Sequence, residues 1–273
     1  MAAMIVAPGH NMALPLMPEF ISPQDGAEKQ DCERNAVKRW LSAHHARVAD
    51  LRPVYLGDAL FSCQPLAEAV LVTGADFLFV CKKDGHKTLY EFIDGAPLDE
   101  HTVTERRPGK HSLTYRYGWI EGVPLRDGKD ALAVNWLAVT ITDSQGKTTY
   151  DGAFVTSLPL TADNLVELAA CARARWKIEN ESFNVLKNNG YNLAHNFGHG
   201  KKYLARIFAA MNLLAFAFHP ANDCLETLWQ QAREAKGSRS NFFQHIRTIT
   251  AYLVFPSWTS LMITLISCNA PPT

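Results

Sequence analysis

With 273 residues, 47% of them apolar, the chain is long enough to bury one sizeable core and is not a small scaffold held by disulfides. Lys and Arg balance Asp and Glu at 27 each, so no global positive field marks a nucleic-acid binder. Six cysteines, Cys32, Cys63, Cys81, Cys171, Cys224 and Cys268, show no CxxC spacing, which fits reduced cytosolic thiols better than a zinc site or a disulfide frame.

The chain opens on two short apolar runs, 4–6 and 12–16, parted by Pro8-Gly9-His10, which predicts a hairpin or two strand fragments. No charged segment followed by a long apolar run is present there, so no signal peptide is expected. Asp25 and Glu28 have the spacing of a capping box for a helix whose apolar face is Cys32, Ala36, Val37, Trp40, Leu41 and Val48. After Arg52-Pro53, the run Val54-Tyr55-Leu56-Gly57-Asp58 predicts a short strand ending in an acid. Pro65 then opens a helix with Leu66, Ala69 and Val70 inward, Gly74 closes it, and Phe77 to Cys81 is a continuous apolar strand. Strand, helix and strand within about 30 residues make a βαβ unit with parallel pairing. Functional residues of such units gather at the carboxyl ends of the strands, where Asp58 falls.

From His86 to Pro159 the pattern changes to alternation. Residues 112–117, 131–142 and 148–156 read as strands, with turns at Asp127-Gly128 and Gln145-Gly146. This predicts a mostly antiparallel insertion, to which Arg106, Arg107, Lys110 and Arg116 give a basic patch.

Thr161 is the expected cap of a long helix beginning at Ala162. Its apolar stripe, Leu165, Leu168, Ala169, Ala172, Trp176, Phe183 and Leu186, includes the position of Glu179, whereas Glu181 faces away. An inward ionised carboxylate is costly unless a cation answers it. Arg175, one turn earlier, and Lys187, two turns later, are the nearest candidates. From Arg173 to Arg206 seven Lys or Arg accompany two Glu. Such a basic zone around an acid suits a polyanionic substrate held near metal-binding carboxylates.

Asparagine and glycine break the helix after Asn188. His195 and His199 have the spacing of a helical metal pair, but Gly198, Gly200 and the lack of a third ligand argue against it. The segment reads either as a loop whose Lys201 and Lys202 meet phosphates or as a plain helix connection. A helix apolar all round at 202–218, a helix at 222–235 and another after Asn241 complete the chain. The apolar stretches 203–218 and 251–266 carry Arg206 and Pro256 and fall short of about 20 uninterrupted apolar residues, so both are expected as buried helices and not as membrane spans.

Four segments together resemble a known family: Tyr-Leu-Gly-Asp58-Ala-Leu-Phe-Ser, Asp76-Phe-Leu-Phe-Val-Cys-Lys82, Phe154-Val-Thr-Ser-Leu-Pro159 and Arg175-Trp-Lys-Ile-Glu179-Asn-Glu-Ser-Phe183. They are similar to the latter part of DDE-type insertion-sequence transposases of the superfamily numbered four. The resemblance runs from about Leu14 to Trp258. It implies an α/β fold: an RNase H-like mixed sheet flanked by helices, a β-rich insertion between the second Asp and the Glu, and a helical C-terminal region. The implied division is 1–85 for a partial core, 86–160 for the insertion, 161–200 for the helix carrying the Glu and 201–273 for the C-terminal helices.

By the same resemblance Asp58 is the second catalytic Asp and Glu179 the catalytic Glu, both ligands of Mg2+ or Mn2+. Two such ions roughly 3.5–4 Å apart would serve phosphoryl transfer. Arg175 and Lys187 correspond to the bases that flank the Glu and contact DNA, with Arg173, Lys177, Lys201 and Lys202 as further DNA-binding candidates. Two departures stand out: Ala172 occupies the place of an aromatic, and Lys187 lies one residue further from the Glu than in the family pattern. The family's first Asp lies on a strand well before the helix expected here near Ala27. The chain is therefore expected to be an amino-terminally truncated transposase, with Asp25 and Asp31 poor substitutes.

The expected function is metal-dependent cleavage and transfer of DNA strands, on transposon ends and target DNA, by a homo-oligomer in the bacterial cytoplasm at the nucleoid. The alternative is a catalytically inactive remnant that binds DNA or oligomerises and inhibits full-length transposase. An RNase H-like nuclease without transposition is a third reading.

Overall fold

The structure is a computed structural model that describes residues 1–21, 31–106, 112–195, 200 and 202–267. The chain divides into two compact units. The first is Met1 with Glu19–Arg175; the second joins Ala2–Pro18 to Trp176–Thr273.

The first unit is built on a mixed six-stranded sheet. Its strands, β3 (Val54–Gly57), β4 (Asp76–Val80), β5 (Asp99–Glu105), β6 (Leu113–Pro124), β7 (Ala133–Asp143) and β8 (Thr148–Thr156), lie in the order β3-β4-β8-β7-β6-β5. β3 and β4 are parallel, with Gly57 opposite Phe79, and are linked by helix α2 (Gln64–Leu71). This is the βαβ unit that the sequence predicts, and Gly74 ends its helix with a φ of 81°, a conformation open to glycine at little cost. Every other pairing is antiparallel, and β4 meets β8 with Leu78 opposite Thr156. The β-rich insertion is thus not a separate layer. Its last strand continues the sheet from β4.

Alternation along the strands sorts side chains onto two faces. Leu78, Tyr117, Trp119, Leu137, Val139, Ile141 and Phe154 bury one face under Leu165, Leu168, Ala169 and Ala172 of α4 (Leu165–Ala174). Phe77 and Phe79 point the other way, their rings stacked 4.9 Å apart. Helix α2 packs against β4, and α3 (Lys87–Asp94) packs against β6. Helix α1 (Glu33–His44) buries Ala36, Trp40 and Leu41 of its predicted face; Cys32 precedes the helix and is exposed, and two 3-10 turns place Val48 beyond it. The expected capping box, Asp25 and Glu28, lies outside the described residues.

In the second unit β1 (Ala2–Val6) and β2 (Ala13–Pro18) form the antiparallel hairpin foreseen from Pro8-Gly9-His10, with Gly9 at φ 77°. After Trp176 come a π-helical segment, Ile178–Phe183, and the short helix α5 (Asn184–Asn188). Helix α6 (Leu204–Leu225) continues through Pro220 and absorbs the start of the helix expected from 222. Helices α7 (Thr227–Lys236), α8 (Arg239–Tyr252) and α9 (Trp258–Ser267) follow, with Ser238 and Glu226 capping by accepting backbone N–H groups. Trp229, Phe242, Leu261, Met262 and Leu265 form the core of this helical region.

Candidate active site

Asp58 follows β3 directly and is exposed. Its Oδ1 accepts the backbone N–H of Leu60 at 2.9 Å, and its carbonyl accepts that of Phe61 at 3.1 Å, so the acid is set on a local turn. One further hydrogen bond holds the turn, and a close backbone approach precedes it. The guanidinium of Arg34 donates to the Leu60 carbonyl at 2.9 Å. Gly57 lets the backbone pass so close that an added Cβ would lie 2.8 Å from both Phe61 Cβ and Phe79 Cδ1. Because β3 and β4 are parallel and in register, Cys81 and Lys82 leave the sheet at the same end as Asp58. Lys82 is exposed there. A lone lysine after an apolar strand carries no signal of its own in the sequence; only the parallel register places it at the end of the sheet where Asp58 lies. Asp76, by contrast, starts β4 at the opposite end and accepts Ser157 Oγ at 2.8 Å.

The segment around Glu179 departs from the predicted helix. Thr161 does not cap α4. Asn164 turns its side chain back, accepting the Thr161 N–H and donating to the Pro159 carbonyl. The helix stops at Ala174, Arg175 and Trp176 form a turn, and the following residues wind as a π-helix. A wider turn moves the inward stripe. Lys177, Ser182 and Leu186 are buried, five and four residues apart, whereas Trp176 and Glu179 are exposed. The expectation of an inward Glu179 is corrected by this change of period. Glu181 is partly buried.

The predicted bases fall into different situations. Lys177 is a correction: its ammonium is buried and donates to the carbonyls of His10 at 2.5 Å and Ala7 at 2.6 Å, so it ties the hairpin loop to the π segment and is not offered to a phosphate. The guanidinium of Arg173 lies 4.8 Å over the ring of Tyr150, a cation–π contact within the first unit. Arg175 is partly exposed, and Lys187 and Lys202 are exposed. Lys201 and His199 lie outside the described residues, as do Arg107 and Lys110; Arg106 and Arg116 are exposed.

Asp58 and Glu179 belong to different units. Within either unit, the described residues contain no group of three His, Cys, Asp or Glu side chains placed to hold a metal ion. The described residues of neither unit alone therefore supply a two-ion centre, which needs several oxygen ligands around each ion. The chain matches no protein-family model and no curated protein.

Proposed function

We propose that this chain is the catalytic-domain part of a DDE-type insertion-sequence transposase with an RNase H-like core, acting on transposon ends and target DNA. The observation that carries this reading is the exposed Asp58 at the carboxyl end of a parallel strand in a βαβ unit, held by its own turn and by Gly57, with Lys82 leaving the same end of the sheet. Carboxyl ends of parallel strands are where such sheets place reacting groups. The reaction proposed is hydrolysis of a phosphodiester bond at an element end and joining of the freed 3′-hydroxyl to target DNA, dependent on Mg2+ or Mn2+. Asp58 and Glu179 are the carboxylates assigned to it. Arg175, Lys187 and Lys202 are the bases assigned to DNA phosphates, now without Lys177. The chain is proposed to act as a homo-oligomer on DNA in the bacterial cytoplasm.

A second reading has its own observation. Since the described residues of neither unit gather three metal-ligating side chains, a chain that binds DNA or oligomerises without cutting, and so inhibits a complete transposase, is the alternative.

Cleavage of a labelled duplex carrying candidate element ends, with Mg2+ or Mn2+, tests both in one assay alongside retention of that duplex at several salt concentrations. Cleavage by the wild type that disappears in Asp58→Ala and in Glu179→Ala supports the enzyme. Retention without cleavage in all three chains supports the second reading. Cleavage that survives both substitutions, or no retention of DNA at low salt, sinks the transposase assignment.

A further inference from the structure

Helix α6 has two apolar faces, and only one of them is used within its own unit. Leu213 and Phe216 are buried beside Leu186, with Tyr191, Phe183 and Met4 packed around them. On the opposite side, Leu204, Ile207, Met211, Leu214, Phe218 and Leu225 are 37 to 84% exposed. These six positions follow a strict heptad: 204, 211, 218 and 225 share one register, while 207 and 214 share the other, with Ala221 completing it. A repeat of 3.5 residues keeps one seam facing a partner helix along its whole length. The charged residues of the helix, Arg206 and Asp223, lie off this seam. Taking roughly 200 Å² for a large apolar side chain, the six expose about 700 Å², close to the ~800 Å² each partner contributes to a standard interface.

We infer that the seam is a dimerisation surface and that its occupant is α6 of a second copy of this chain. The repeat itself names the occupant. Large side chains at both heptad registers interdigitate with an identical row, so one stripe supplies both halves of a two-fold interface. The helix also has the length and hydropathy of a membrane span, but a lipid-facing helix would not need its opposite face committed to Leu186 and Tyr191. The inference gives a surface to the homo-oligomer proposed above, while the observations behind it, the heptad and the exposure of its side chains, do not rest on the transposase reading.

Sedimentation velocity of the full chain, wild type against the double variant Met211→Lys/Leu214→Lys, tests it, with circular dichroism to check the fold. A concentration-dependent wild-type dimer, weakened at least tenfold in a variant of unchanged helix content, is the expected result. Leu214→Cys gives a readout that needs no charge in the seam. Residue 214 lies near the middle of the helix, so a short bis-maleimide should link two copies in either helix orientation, beyond the wild-type background from exposed cysteines. A wild type that stays monomeric at its highest soluble concentration overturns the inference, as does absence of extra cross-linking in Leu214→Cys. A monomer that instead floats with phosphatidylcholine vesicles assigns the seam to lipid and also overturns it. DNA retention, measured separately, keeps failure of the dimer distinct from failure of the transposase assignment.

Discussion

Lys177 Nζ donates to the carbonyl oxygen of Ala7 at 2.6 Å, joining residues 170 apart in sequence. With the His10 carbonyl as its second acceptor, the ammonium satisfies two backbone groups of the β1–β2 loop. A lysine that looks like one more phosphate-facing base in a basic run is therefore a clamp inside the second unit. Burial decides the matter, since an ammonium out of water must find acceptors.

Replacement of that clamp should lower stability without changing DNA affinity. Lys177→Met leaves the two carbonyls unanswered and should cost about 1–3 kcal/mol, read as a lower urea midpoint. Exposed Lys187 should behave in the opposite way. Lys187→Gln should leave the midpoint unchanged and reduce the salt slope of duplex binding by about 1. A Lys177 variant of full stability and weakened DNA binding would return this residue to the interface.

Gly57→Ala should disturb Asp58 through packing alone. The new methyl group would sit 2.8 Å from carbons of Phe61 and Phe79, and a buried overlap of this kind costs about 1–3 kcal/mol. Thermal unfolding should show the loss. If cleavage is observed in the wild type, its rate should also fall, because the turn that presents Asp58 follows this glycine directly. An alanine variant as stable as the wild type would mean that the strand can shift to make room.

His219 should make the second unit acid-sensitive. Its ring stacks on Trp229 at 5.4 Å, lies 4.4 Å from the ring of Phe243 and is hydrogen-bonded to Tyr191. Burial foremost, with the charge of Arg239 and then Arg233 added and Asp223 opposing, lowers its pKa to about 4. The unfolded ring takes up its proton near pH 6.5, so between these values the unfolded state binds more protons. Stability from the neutral ring is complete above about pH 6.5 and is lost as pH falls toward 4. Urea midpoints across that window should decline in the wild type and flatten in His219→Phe. Equal slopes in both would place the acid sensitivity elsewhere.

Asp223 should be the costliest acid to lose in the helical region. It accepts the indole Nε1–H of Trp229 at 2.7 Å and pairs with Arg239 at 3.2 Å, while Arg233 Nε lies 3.4 Å away as an ion pair without hydrogen-bond geometry. Asp223→Ala strands an indole and two guanidinium groups. Removing one partner of a fully buried pair costs about 3–5 kcal/mol; with Asp223 27% exposed, about 2–3 kcal/mol is expected after solvent screening. Asp223→Asn keeps the acceptor for Trp229 and should recover part of the loss. Chemical denaturation of the three chains ranks them.

The parts legible in the sequence are those where local chemistry and tertiary packing agree. The β3-α2-β4 unit follows from Pro65, Gly74 and an apolar strand, and β8 occupies the predicted 148–156 span. Helix α3 and strand β5 were hidden. Leu89 and Ile93 provide α3 with only two inward positions, and β5 alternates among charged and polar residues that a solvated edge tolerates. Around Glu179 the difficulty was period. A stripe counted at 3.6 residues per turn puts Trp176 and Glu179 inward, but one wider turn buries Lys177 and Ser182 in their stead, while Leu186 stays inward as expected. Nothing in Lys-Ile-Glu-Asn-Glu-Ser-Phe announces that turn by composition. Asp58 was legible because strand, turn and position in the unit all point to one residue. Lys82 is not legible in this way, because a single lysine after a strand is ordinary until parallel register puts it at the same end of the sheet as an acid.

β3 closes one side of its sheet with a strand of only four residues, and its flanks bear on solubility. An open strand edge invites other chains to pair with it and so to aggregate. Here Pro53, which has no N–H to offer, and Arg52, held in the left-handed region at φ 46°, stand on one side of the strand, and the carboxylate of Asp58 stands on the other. Propagation of the ladder in either direction meets a missing donor or a charge. A charge at the end of a short edge strand discourages such pairing, so loss of the Asp58 carboxylate is expected to raise the tendency to aggregate as well as to affect the proposed chemistry.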